Sequence, residues 1–333
     1  MRVKQLWSGD DRMERPYYVI DAFAGEPFAG NPAAVVLNVL GLDDRQMQAI
    51  AEEFNLSETT FVLPPTEPSA STRENSQQEK ETEVEADLSV RFRWFTPTTE
   101  VDMCGHATIA GVHALVECGR LQFPKTAEKA TVRIDTRSGN IAAFVERIPE
   151  SKQWMIWLDM IDPTLTPQSM VESELASVLS LGVESFESSL PMVKTQDGDL
   201  LVFVKDFQLL NEARPDFTRL GRLLDRNRLR GLSLATAKTL TPSINLQSRF
   251  FAPNVGVNED PVTGSVHGPL AAYMVKHGLV PVHDGIAALS CTQAKAGGRA
   301  GLVYALVQPK GNDVYAVRIG GRTVTTMRGT LSI

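Results

Sequence analysis

Two short turns in the sequence carry the residue types that proton transfer requires. Cys104-Gly105-His106 leads into a small, apolar run from Ala107 to Glu117, and Asp260-Pro261-Val262-Thr263-Gly264-Ser265 leads into a second from Ser265 to His277. A glycine at such an entrance lets a ligand approach the backbone, and the first N–H groups of a helix have no partner within it, so they can hold an anion. Gly105, His106 and Ala107 offer these donors in the first turn. Gly264, Ser265 and Val266 offer them in the second, where the Ser265 hydroxyl and the helix dipole add to the set. Facing each other across a cleft between two similar halves, the two entrances would hold a small acidic substrate by its carboxylate. A glycine before a helix is also, more plainly, a tight turn, and it is the pairing of the two that favours a ligand.

Four side chains near these turns can take part in chemistry. His106 has an ordinary pKa near neutrality and can shuttle a proton or position a substrate, or it can simply sit satisfied at a helix start. Asp260 can be catalytic or can only initiate an Asp-Pro turn. Glu58 follows Asn55-Leu56-Ser57 between a helix and a strand. Desolvated there, its carboxylate would serve as a base toward a C–H proton, although most glutamates at such junctions are surface residues. Cys104 can act as a thiolate or pack as a small buried residue. Cys118 and Cys291 have no evident partners and read as structural.

The elements that must position these groups follow from patterning. Tyr17 to Phe23 and Ala33 to Leu37 read as strands of an opening hairpin, separated by Gly25, Pro27, Gly30, Asn31 and Pro32. Asp43 or Asp44 caps a helix through Phe54, with Met47, Ile50, Ala51 and Phe54 on one face, and Glu58 to Leu63 returns as a strand. Pro64 to Asp87 is rich in Glu, Ser, Thr, Gln and Pro and reads as a disordered insertion. Leu88 to Phe95 alternates as a strand, and Gly119 stops the buried helix after Glu117. The second half repeats this grammar. Strands fall near Trp154 to Leu158, Leu200 to Val204 and Ser248 to Ala252, helices fall at Ser173 to Ser180 and Phe217 to Asp225, and a turn from Pro253 to Gly264 precedes the helix that Gly278 ends.

Composition narrows the classes. With 333 residues and 43% hydrophobic content, the chain is long enough for two domains. Its 33 basic and 40 acidic residues give a net charge of -7, without the basic patch that nucleic acid would require. No apolar stretch approaches the ~20 residues of a membrane span, and Met1 to Arg15 is unlike a signal peptide, so a cytoplasmic protein is expected. Three cysteines without C-x-x-C spacing argue against a disulfide framework, and the five histidines show no ligand spacing, so no metal is expected.

These segments resemble the phenazine-biosynthesis PhzF-like family. The resemblance rests on D-A-F-A-G-E-P-F-A-G-N-P-A-A-V at Asp21 to Val35, N-L-S-E-T-T-F-V at Asn55 to Val62, R-W-F-T-P-T-T-E-V-D-M-C-G-H-A-T at Arg93 to Thr108, and R-F-F-A-P-N-V-G-V-N-E-D-P-V-T-G-S-V-H-G at Arg249 to Gly268. It implies the α+β fold of diaminopimelate epimerase. In that fold two similar domains each wrap a mostly antiparallel sheet around a central helix, and the active site lies in the cleft between them. The domains would span 17–150 and 151–321, with an N-terminal extension over 1–16, the insertion at 64–87, and a C-terminal strand at 322–333 returning to the first. Glu58 matches the family's single acid/base, and His106, Asp260 and Ser265 match residues that hold the substrate and assist.

Asn31, Cys104, Gly105, Ala107, Gly264, Val266 and Gly297 complete the expected contacts, the last from the Gln293 to Arg299 turn, which is similar to a Gly-Arg turn of the family. Such proton transfer needs no cofactor, in keeping with the lack of a dinucleotide or P-loop pattern. The resemblance also implies a homodimer. Two other readings stay open: a catalytically idle binding or scaffold protein, and a Cys104-dependent epimerase. The two-thiol form of the latter is disfavoured, because Thr263 stands where a second cysteine would be.

Overall fold

Short β-branched and aromatic runs dominate the chain, and in the computed structural model they form mostly antiparallel strands. The structure describes residues 14–66, 86–123, 128–149, 151, 153–294 and 297–333. Most of the expected insertion, at 67–85, and residues 1–13 of the expected extension lie outside the described residues. The polypeptide divides into two compact units. One takes the chain up to Phe28, Pro32–Leu158 and Gly321–Ile333, and the other takes Ala29–Asn31 and Asp159–Gly320.

The first unit contains β1 (Arg15–Ala22), β2 (Asn31–Val36, all but its first residue), α1 (Asp44–Phe54), β3 (Thr59–Leu63), β4 (Leu88–Phe95), β5 (Glu100–Val101), α2 (Gly105–Glu117), β6 (Lys129–Thr136), β7 (Gly139–Arg147) and β8 (Trp154–Asp159, all but its last residue). β1 starts two residues inside the expected extension because Arg15 and Pro16 pair with Leu331 and Thr330. The first unit also runs past the expected boundary at 150, to Leu158, because β8 pairs antiparallel with β7. α1 has a capping box in which Asp43 accepts from the Gln46 N–H and the Gln46 side chain returns the bond, and it buries Met47, Ile50 and Ala51. α2 is buried from His106 through Leu115 and packs on β1, β3 and β4. Its small residues are what make this possible: a Cβ at Gly111 would lie 2.6 Å from the Phe92 ring. Two of its polar side chains are satisfied within the unit, Thr108 donating to the Cys104 carbonyl at 2.6 Å and His113 meeting Thr323 at 2.7 Å.

The second unit contains β9 (Leu165–Pro167), α3 (Glu172–Leu179), β10 (Val193–Thr195), β11 (Asp199–Phe203), α4 (Phe207–Glu212), α5 (Phe217–Arg226), β12 (Gly231–Thr236), β13 (Leu246–Ala252), β14 (Val257–Asp260), α6 (Gly264–Lys276), β15 (Ala287–Ala294), β16 (Ala300–Gly311) and the first part of β17 (Val314–Leu331). Leu175, Leu179, Leu220, Leu223, Leu224 and Phe251 anchor its core between α3, α5 and the strands. The stretch expected as one turn from Pro253 to Gly264 holds a 3-10 turn and β14, whose polar sequence VNED concealed a strand.

The order of elements repeats. β2 and β3 pair parallel across α1, β3 pairs antiparallel with β4, and β4 pairs parallel with β6 across α2. In the second unit β11 and β12 pair parallel across α4 and α5, β12 pairs antiparallel with β13, and β13 pairs parallel with β15 across α6. A short strand, β5 or β14, hairpins back just before each buried helix. Each parallel pair needs a helical crossover, so the helix starts fall at the ends of adjacent strands. Among the described residues no helix is long and apolar enough to cross a membrane.

Candidate active site

In the first unit, Asn55 ends α1 in the left-handed conformation, φ 49°, and turns the chain back toward the sheet. Glu58 therefore arrives immediately before β3, with its carbonyl accepting from the Ala34 N–H at 3.3 Å. Two residues on, Thr60 donates to the Ala107 carbonyl at 2.9 Å and ties β3 to the first turn of α2. This linkage brings Glu58 and His106 together: Oε2 and Nε2 are 3.2 Å apart, with side chains 19% and 8% exposed. On the other side of the ring, Nδ1 lies 3.4 Å from Cys104 Sγ.

Burial pushes the His106 imidazolium down to about 4, so above that pH the ring is neutral and the approach to Glu58 is not an ion pair. The two atoms also approach without hydrogen-bond alignment. A neutral imidazole carries one proton; with it on Nε2, Nδ1 can accept from the Cys104 thiol. Ligand atoms of Glu58, Cys104 and His106 lie within 4.8 Å of one another, a set of donor types that can hold a metal. The contacts run through opposite ring nitrogens, however, so the array is a thiol–imidazole–carboxylate chain. Gly105 and Cys104 are half-buried, Ala107 is buried, and no side chain caps the helix start.

In the second unit, a buried pair underlies the motif turn. Arg249 donates to Glu259 from Nε at 2.7 Å and to the Leu210 and Ala213 carbonyls from Nη1 at 3.1 and 2.7 Å. Asp260 follows on β14. Its Oδ1 accepts from Asn31 Nδ2 at 3.0 Å and its Oδ2 from the Thr263 hydroxyl at 2.5 Å. Asn31 is fully buried and also donates to the Val262 carbonyl at 2.8 Å. Gln293 accepts from the Thr263 N–H at 3.0 Å and donates to the Asp260 carbonyl at 2.8 Å, closing the turn. Ser265 Oγ accepts from Arg230 Nη2 at 3.2 Å. Gly264 and Val266 are buried, and Ser265 is half-buried.

Of the residues singled out in the sequence, Glu58, Cys104 and His106 form one contact group, Asn31 and Asp260 form a second, and Ser265 meets Arg230. Gly297 is exposed on a turn with φ 66°. The nearby Arg299 instead donates to the Ala29 and Gly30 carbonyls, at 2.8 and 3.2 Å, and so holds the segment that carries Asn31. Sequence reasoning missed Gln293 and the pair Asp199 and Arg230. Gln293 had a signal, because Ala287, Leu289, Cys291 and Gln293 occupy successive inward positions of β15 and a polar residue there needs a partner. Asp199 and Arg230 had none. Burial pushes the Asp199 carboxyl up, while Arg230 binds it through Nε at 2.9 Å and Nη2 at 2.5 Å, and the guanidinium keeps its proton.

The family model of the phenazine biosynthesis-like protein matches residues 20–329. The chain belongs to this family. Within the phenazine biosynthesis-like family it is 39% identical to an uncharacterized isomerase of Pseudomonas aeruginosa, over 78% of this chain and 82% of that one. It is 32% identical to an uncharacterized isomerase of Clostridium acetobutylicum, over 94% of this chain and 97% of that one. A Bacillus anthracis phenazine biosynthesis protein of the PhzF family has the same fold, with a TM-score of 0.79 at 26% identity over 96% of this chain and all of that one. With these relatives the chain is an isomerase of PhzF-like type.

Proposed function

We propose that this isomerase moves a proton on a small carboxylate-bearing metabolite, with Glu58 as its single acid/base and without a cofactor. The observation that carries the reading is the 3.2 Å approach of Glu58 Oε2 to a buried, neutral His106. A carbon next to a carboxylate or carbonyl can release its proton to Glu58 while the electron pair moves into that group. Protonated Glu58 then returns the proton to a carbon on the same face. Delivery to a different carbon shifts the double bond, whereas epimerisation by the same base requires the planar intermediate to turn its other face to Glu58 before the proton returns. A neutral His106 with its proton on Nε2 supports the Glu58 carboxylate without neutralising it, which suits a base that must recover its proton affinity each cycle. Asp260 and Ser265 hold the substrate in this reading, and Asn31 and Gln293 keep Asp260 oriented.

Full-length Glu58→Gln is expected to lose about 10²- to 10⁴-fold in turnover, the usual reach of general acid–base catalysis, while its thermal midpoint stays near wild type. An undiminished rate would remove Glu58 from the mechanism. The 3.4 Å Cys104–His106 contact favours a second reading, a Cys104 thiolate base. Cys104→Ser separates the two: it should keep most of the activity if Glu58 is the base and lose it if the thiolate is.

A further inference from the structure

Arg230 lies between α5 and β12, where its N–H donates to the Gly198 carbonyl at 2.7 Å and fixes its backbone beside Asp199. Asp199 is 1% exposed, whereas the Arg230 side chain is 39% exposed, so the acid end of the pair is enclosed and the cationic end faces outward. Asp199 takes only Nε and one N–H of Nη2. The other Nη2 proton goes to Ser265 Oγ at 3.2 Å. Nη1 makes no hydrogen bond to the described residues. Phe250 stacks under the guanidinium at 5.8 Å and limits where it can turn.

The Ser265 contact has a directional consequence. A guanidinium has donors and no acceptor, so Ser265 must accept from Arg230, and its one hydroxyl proton is left to donate elsewhere. Arg230 thus sets Ser265 as a donor and adds the two free protons of Nη1 beside it. Asp260 also lies within electrostatic reach of Arg230, so the guanidinium belongs to the same cluster as the motif turn.

We infer that Arg230 is the specificity-determining residue of the second motif turn, and that with the Ser265 hydroxyl it binds a carboxylate of the substrate and discriminates against uncharged isosteres. The inference deepens the carboxylate reading given above and rests on it. The buried Asp199 carboxylate holds a partly exposed cation next to an oriented hydroxyl, with Nη1 engaged by neither Asp199 nor Ser265. Arginine also suits the task better than lysine, because its planar, five-donor guanidinium can hold Asp199 through the fork, meet Ser265 and still present Nη1.

The test is binding of benzoate against benzamide, its neutral isostere, to the full-length protein by protein-detected NMR titration. Wild type should prefer benzoate by about 10- to 100-fold, as charge-assisted hydrogen bonds allow. Removing Arg230 alone would strand Asp199, so the variant of choice is the double substitution Asp199→Asn/Arg230→Gln, which leaves a neutral hydrogen-bonding pair. In it the preference should fall to within about threefold while the thermal midpoint and near-UV spectrum stay native. Should that protein fail to fold, Arg230→Lys carries the test: it keeps the charge against Asp199 but loses the fork, and the preference should drop by about tenfold. A folded variant of either kind that prefers benzoate as strongly as wild type would overturn the role of Arg230 and leave the carboxylate reading standing. A wild type with no preference would overturn both, and Glu58→Gln would still report on proton transfer independently.

Discussion

The starts of α2 and α6 are built on one plan and carry different chemistry. Each helix has a glycine at its first position, an extended residue before it and no side-chain cap. In each, the side chain four residues after that extended residue binds its carbonyl: Thr108 to Cys104 at 2.6 Å, and His267 to Thr263 at 2.8 Å. Around α2 the remaining polar groups are a thiol, a neutral imidazole and a carboxylate, whose relation to one another changes when a proton moves. Around α6 Asp260, Thr263, Asn31 and Gln293 hydrogen-bond to one another, Arg249 is held by Glu259, and Arg230 is fixed by Asp199. On the proposed reading the same backbone device serves proton transfer in one unit and ligand holding in the other, and the two differ in how far their side chains are already engaged.

The largest effect that separates the two is kinetic. Glu58→Gln should lower kcat by about 10²- to 10⁴-fold with KM little changed, whereas Ser265→Ala should chiefly raise KM, by about 10-fold, in steady-state assays. The reverse pattern would exchange the roles of the two helix starts. Next in size is the support beneath the second turn. Arg249→Met strands the buried Glu259 carboxylate and should cost about 3–5 kcal/mol in denaturant unfolding, more than Arg93→Met, whose partner Glu100 forms the less buried counterpart pair before the first turn.

A smaller effect is shared between the units. Burial pushes both His106 and His267 down to about 4, below the 6.5 of an unfolded histidine. As pH falls, the unfolded chain takes up these protons first. Stability is therefore full above about pH 6.5 and declines from there toward about 4, by up to about 3 kcal/mol for each histidine. A charged Glu58 at 3.2 Å favours the imidazolium, so the His106 part should be the smaller. Unfolding curves of His106→Gln and His267→Gln between pH 7 and 4 measure the two parts. The smallest contrast is steric. Gly111→Ala would push its Cβ to 2.6 Å from Phe92 and should destabilise by about 1–3 kcal/mol. Gly268→Ala meets Met160 at 3.4 Å and Val317 at 3.6 Å, ordinary van der Waals contacts, and the gain in helix propensity should leave it neutral or up to about 1 kcal/mol more stable.

Much of this arrangement was legible because it is local. The capping residues of α1, the alternation of β4, and the glycine followed by small residues at α2 and α6 each state an element within a few positions. Glu58 was legible only as a junction residue; the residues alone left it weak, and the family motif raised it. Asp199 and Arg230 were not legible, since they stand 31 residues apart and meet through tertiary packing that no periodicity announces. β14 was hidden for a similar reason. Its Glu259 is buried only because Arg249, ten residues earlier, neutralises it, and a polar strand with a distant partner reads as a loop.

The central claim is that Glu58 moves the proton. Incubating a panel of cyclic and unsaturated carboxylic acids in D₂O with wild type and with Glu58→Gln, and following C–H signals by NMR, tests it most directly. The account predicts deuterium entering one or more acids at a carbon next to a carboxylate or carbonyl, or at the carbon that receives the shifted double bond, with wild type and not with Glu58→Gln. Exchange at the same rate with a folded Glu58→Gln protein would contradict it.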